Sequence, residues 1–148
     1  MKVYTVSLFG HREKTDYREL ENQLTEIVRK LIQTKEYVSF LIGRNGEFDE
    51  YGASIIKRAR KGLDMERSDL TLVLPYIVSG LEYYEKYYDT VLIPDTLYRV
   101  HPKRAITLRN RWMAENSELI IVHQRRSFGG AYEAKKYAEE LGKKVIII

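Results

Sequence analysis

The chain has 148 residues, 44% of them apolar and 31% charged, which suits one soluble globular domain with a full core. It contains no cysteine, excluding a disulfide framework and a thiolate metal site, and no apolar run near the ~20 residues that span a bilayer. The formal net charge is +4 with acids and bases interspersed, a balance that suits an anionic small molecule and nucleic acid alike.

The first segment, Met1 to Gly10, is too short and too polar for a signal peptide, which together with the missing cysteines fits a reducing cytoplasm. Val3 to Phe9 reads as a buried strand, followed by a loop from Gly10 to Thr15. Asp16 and Glu19 form a capping-box-like pair, and Leu20, Leu24, Ile27, Val28, Leu31 and Ile32 keep helical spacing. Tyr37 to Ile42 is a second strand and Gly43 to Phe48 a glycine-containing loop. A second helix is expected from Asp49, as its N-cap, to Lys61, with Gly62 just past its end. Its basic end, Lys57, Arg58, Arg60 and Lys61, reads as a solvated face.

Leu70 to Leu74 forms a third strand, stopped by Pro75. A short helix rich in tyrosine follows between Ile77 and Asp89, then a short strand at Thr90 to Ile93 and a loop from Pro94 to Val100. Tyr83, Tyr84, Tyr87 and Tyr88 repeat along one helical face, a pattern for core or subunit packing or, alternatively, a stacking platform for a base. His101-Pro102 opens a helix running to Asn116. The chain closes with the apolar run Leu119 to His123, a turn at Gly129-Gly130, a helix ended by Gly142, and the run Val145 to Ile148. Strands alternating with helices across residues 1–148 predict a single α/β domain, a three-layer Rossmann-like open parallel sheet with helices on both faces.

Ligands of such sheets bind beyond the carboxyl ends of the strands. Three loops fall there: Gly10-His11-Arg12, Gly43-Arg44-Asn45-Gly46-Glu47, and Gln124 to Gly130. Glycine lets backbone amides approach a phosphate, arginine offers it a planar fork, and a helix start bares unpaired N–H groups. Neither the GxGxxG nor the GxxxxGK[ST] spacing is present, which argues against a Rossmann dehydrogenase or P-loop NTPase. The three histidines have no metal-ligand spacing, so no metal is expected, and no cofactor is implied.

These residues carry a family likeness. Gly10-His11-Arg12, Gly43 with Asp49, and Arg109-Asn110 with Met113, leading through Ser117-Glu118 to Gly129-Gly130 and Tyr137-Ala138, resemble the SLOG superfamily of DprA and the LOG phosphoribohydrolases, within it the YpsA-like branch. The resemblance implies a pocket for a nucleotide or nucleotide-derived ligand, and often a homodimer. In that pocket phosphate would sit on the Gly129-Gly130 amides beside Arg12, Arg109 and Ser127, with Glu47, Asp49 or Glu133 accepting ribose hydroxyls. The LOG motif Pro-Gly-Gly-x-Gly-Thr-x-x-Glu is broken: Phe128 replaces its proline and Lys136 its glutamate. Lysine cannot stabilise an oxocarbenium-like centre or activate water, so the LOG reaction does not carry over. The leading expectation is a nucleotide-binding or sensing module. The alternatives are a nucleoside-monophosphate N-glycosidase using Glu47 or Glu133, and DprA-like nucleic-acid binding.

Overall fold

The computed structural model describes residues 1–11 and 17–148. Arg12 and the expected cap Asp16 lie outside the described residues. Six strands build one sheet: β1 (Val3–Gly10), β2 (Tyr37–Ile42), β3 (Ser68–Val73), β4 (Thr90–Leu92), β5 (Leu119–His123) and β6 (Lys144–Ile147). All pairs are parallel, in the order β4-β3-β2-β1-β5-β6. The helices are α1 (Tyr17–Thr34), α2 (Glu47–Arg60), α3 (Leu81–Tyr87), α4 (Pro102–Glu115) and α5 (Gly130–Glu140), joined by 3-10 turns at Met65–Arg67 and Asp95–Leu97.

Alternation along the strands divides the core in two. Val6, Leu8, Phe40, Ile42, Leu70 and Leu72 face α1 and α2, whose Leu24, Val28, Ile55 and Ile56 complete the larger cluster. Phe9, Leu41, Val73, Ile120 and Val122 face the other way, against Met113 and Ala114 of α4 and the alanine stripe Ala131, Ala134, Ala138 of α5. Small alanines let α5 lie close to the sheet. The three-layer architecture is therefore as the sequence predicts.

The strand order reverses between β1 and β5. From β1 the chain winds outward through β2, β3 and β4; α4 then returns it across the opposite face to β5 on the far side of β1. The first connection after β1 and the connection after β5 leave in opposite directions, which opens a crevice at the carboxyl ends of these two strands. Gly10 pairs with His123 at that point, so the first-strand and last-unit loops emerge side by side.

Local details depart from the spacing in three places. α2 starts at Glu47, with Gly46 as N-cap, so Asp49 is not the cap; it sits in the first turn and its carboxylate accepts the Asn45 N–H at 2.8 Å. This resembles the reciprocal arm of a capping box, in which an acid at the third helical position accepts an amide just ahead of the helix. The loop from Pro94 holds the turn Asp95–Leu97, because Leu97 is buried. Arg60 is not part of a solvated face: its guanidinium is buried, donating to Asp89 Oδ2 at 2.7 Å and to the Ser68 carbonyl at 2.9 Å. Asp89 in turn accepts the Leu70 N–H at 2.8 Å, so the end of α2 is tied to the start of β3. His101 caps α4 as expected, its Nδ1 accepting the Lys103 N–H with Pro102 beginning the helix. Gly62 and Gly142 close α2 and α5 with positive φ.

Among the tyrosines of α3, the rings of Tyr84, Tyr87 and Tyr88 pack against the larger core cluster, while Tyr83 points outward. Arg44 lies over Tyr84 and Lys57 over Tyr87 at 3.7 Å, so two cationic side chains are spent on this packing.

Arg60→Met should lower the free energy of unfolding by about 1–3 kcal/mol, since it strands the Ser68 carbonyl in the core. Arg58→Met removes an exposed ion pair with Glu21 and should cost under ~1 kcal/mol. Urea denaturation of both variants checks the contrast; equal losses would put Arg60 back on the surface.

Candidate functional site

A cleft of about 380 Å³ opens at the switch point. Its floor is the end of β1, where Phe9, Gly10 and His11 line it. One wall is the β2–α2 connection, through Asn45 and Asp49; the opposite wall is Ile106, Arg109 and Asn110 of α4; Arg126, Gly130 and Ala131 close it from the β5–α5 turn. Residues from four separate segments thus meet in one space, and three of them are the loops singled out by sequence.

Arg109 is the buried centre of this arrangement, 2% exposed. One guanidinium nitrogen donates to the Val73 carbonyl at the end of β3, 2.9 Å away, and Nε donates to Asn110 Oδ1, also at 2.9 Å. Reaching β3 takes the side chain past Gly43, where an added Cβ would stand 2.7 Å from the guanidinium. Gly43 therefore shapes the cleft indirectly, by letting an arginine through. Gly10 has a comparable reason: the ring of Phe48 occupies the space a Cβ would fill.

The α5 turn leaves a helix start open. Gly129 is the N-cap at φ 94°, a left-handed conformation that favours glycine, and no side chain caps the helix. The first intrahelical bond runs from Glu133 N–H to the Gly129 carbonyl, so the amides of Gly130, Ala131 and Tyr132 lack intrahelical partners. Arg126 curls over Gly129, its guanidinium 3.3 Å from where a Cβ would be, and also lies over the Phe128 ring at 4.7 Å. Positive charge and bared amides thus lie together at one side of the cleft mouth, an arrangement suited to an anion.

His11 and His123 are both buried beneath this mouth. The His123 ring lies parallel to Phe48, with centroids 5.6 Å apart. Burial pushes its pKa down to about 4, the Arg125 charge acting in the same direction. The ring is therefore neutral at physiological pH and serves packing.

The structure separates the predicted site residues into groups. Gly10, His11, Asn45, Asp49, Arg109 and Gly130 line the cleft. Gly46 and Gly129 are the N-caps beside it, and Gly43 lies behind Arg109. Three others point elsewhere. Arg44 covers Tyr84, Ser127 is exposed at the turn, and the Glu47 carboxylate accepts the Tyr17 hydroxyl at 3.0 Å in a separate groove. Glu133 lines a second cleft between α4 and α5. Neither carboxylate named for glycosidic hydrolysis lines the first cleft. Among the described residues, no group of three or more His, Cys, Asp or Glu could hold a metal ion. Asn110, Arg126 and Phe128, present in the motifs and the last loop but not among the expected ligand-binding residues, also stand at the site. The last carried a signal, since a bulky apolar residue at a loop tip, 64% exposed, is unexplained by packing.

No protein-family model and no curated protein matches the sequence. Solved structures do match the fold. DNA processing protein A (DprA) from Streptococcus pneumoniae superposes with a TM-score of 0.70 at 14% identity, covering 97% of this chain and 50% of that one. DprA from Helicobacter pylori, in a structure describing its single-stranded DNA binding mode, gives 0.65 at 14% identity, over 97% and 64%. The chain thus has a DprA-like Rossmann fold and spans half to just under two thirds of the length of these neighbours. No helix among the described residues is long and apolar enough to cross a membrane.

Gly43→Ala should displace the Arg109 guanidinium and cost about 1–3 kcal/mol in urea denaturation; unchanged stability would show that the arginine does not need this passage. The depressed His123 pKa gives a second expectation. Its neutral form is favoured by folding, so the stability it supplies is complete above about 6.5 and is lost as pH falls toward about 4. The melting temperature of His123→Phe should therefore depend less on pH across that window than that of the parent; parallel pH profiles would contradict it.

Proposed function

With a DprA-like fold as the premise, we propose that this chain binds single-stranded nucleic acid, seating a backbone phosphate at the mouth of the switch-point cleft. The observation that carries the reading is convergence: the end of β1, the buried Arg109 strap and the open start of α5 meet around one cleft of about 380 Å³. Phosphate accepts hydrogen bonds from the Gly130–Tyr132 amides while Arg126 supplies charge. Phe128, exposed beside them, offers a ring face on which a neighbouring base stacks without regard to sequence. The single-stranded DNA binding named for the Helicobacter pylori neighbour, and the net charge of +4, support the same reading. The finer resemblance to the YpsA-like branch rests on the sequence motifs alone, and a homodimer is an expectation of that resemblance.

A second reading is favoured by one observation. Asn45 and Asp49 form a polar wall inside the cleft, opposite Arg109, such as a free nucleotide uses to hold its sugar or base. In that case the protein binds a mononucleotide as a signal. Neither reading includes hydrolysis: Glu47 is held by Tyr17, Glu133 lines the second cleft, and Lys136 stands where the motif has glutamate.

Fluorescence anisotropy with a labelled oligothymidylate tests the proposal. Affinity should fall as salt rises, with a log–log slope of about −0.7 for each phosphate neutralised. Arg126→Ala should weaken binding and flatten that slope, whereas Phe128→Ala should cost about 1–3 kcal/mol and leave the slope unchanged. Saturable binding of mononucleotides with none of the oligonucleotide would select the second reading. Failure to bind either would overturn both.

A further inference from the structure

The first cleft does not end at Gly130. A second cleft, of about 290 Å³, runs between α4 and α5, and both share Asn110 and Gly130 as lining. At this junction the Asn110 amide nitrogen lies 3.8 Å from where a Gly130 Cβ would sit, in van der Waals reach of the α5 turn. The amide is not free to choose its orientation. Its oxygen accepts from the buried Arg109, so Nδ2 is turned to the Gly130 side, as a donor at the crossing of the two clefts.

The two clefts differ in chemistry. In the second, Arg111 and Lys136 are matched by Glu133 and Glu140, so its formal charge is balanced. Arg111 is laid over the Tyr137 ring at 5.1 Å, and the Tyr137 hydroxyl donates to Glu115 Oε2 at 2.9 Å, which makes that wall a braced stack. A balanced space with donors and acceptors suits an uncharged polar group better than a phosphate, whereas the donor at the crossing suits an anion.

We infer that the two clefts form one groove for a dinucleotide step, with the linking phosphate at Asn110 and one nucleoside in each cleft. This rests on the proposed nucleic-acid binding and deepens it by naming the smallest ligand that fills the site. Thr107, Glu133 and the Arg111–Tyr137 wall receive the second nucleoside. Asn110 is the residue that selects for a phosphate between the two, and Arg109 is the positioning residue that aims it.

Competition against the labelled oligothymidylate, using thymidine 5′-monophosphate and the 5′-phosphorylated thymidine dinucleotide, tests this. The dinucleotide should compete at least about tenfold better than the monophosphate. Thr107 is exposed on α4, and Thr107→Trp should fill the second cleft without disturbing the core. In that variant the dinucleotide advantage over the monophosphate should collapse to about one. Equal competition by the two in the parent protein, or an advantage that survives Thr107→Trp, would overturn the groove while oligonucleotide binding stands. If the labelled oligothymidylate itself does not bind, the proposed function falls and this inference with it.

Discussion

At the carboxyl edge of the sheet, the guanidinium of Arg109 lies almost wholly out of water, and the surrounding geometry answers to it. A buried charged group is tolerated only when its donors are met. Here the Val73 carbonyl and the Asn110 side chain meet two of them, which ties α4 to the end of β3 and fixes an amide at the cleft. The route between α4 and β3 exists because residue 43 is glycine. A single arginine therefore links the packing of the returning helix to the shape of the site. It acts as scaffold for the cleft, whose mouth also carries the Arg126 guanidinium.

The placement of the cleft follows from topology. A right-handed path from β1 to β4 on one face, and a return to β5 on the other, leave one point where adjacent strands send their loops apart. The sequence places Gly10 and the Gly129-Gly130 turn on either side of it through the parallel register of β1 and β5. The open amides at the cleft mouth are a backbone feature more than a side-chain one, since α5 opens with two glycines and no capping side chain.

Much of the fold was legible because its signals are periodic. The helical stripe of α1, the apolar runs of β1, β2 and β5, and the glycines after α2 and α5 each depend on neighbours in sequence. What sequence could not give was the direction of polar side chains whose partners are far along the chain. Arg60 looked like one of four surface cations, yet its partners Ser68 and Asp89 lie beyond the helix. Glu47 and Asp49 are two residues apart on the same first turn. One turns to Tyr17 and the other to the cleft, a choice set by tertiary contacts. Asn110 gained its meaning only when α4 and α5 were brought together around Gly130.

The proposed function places nucleic-acid phosphate at the open start of α5. The most direct test is an amide NMR titration of the isotopically labelled protein with unlabelled oligothymidylate. The largest shift changes should fall on the Gly130, Ala131 and Tyr132 amides and on the Asn110 side-chain NH₂, with smaller ones at Asn45. Changes confined to the tyrosines of α3 or to the amino ends of the strands, with the α5 amides unmoved, would contradict it.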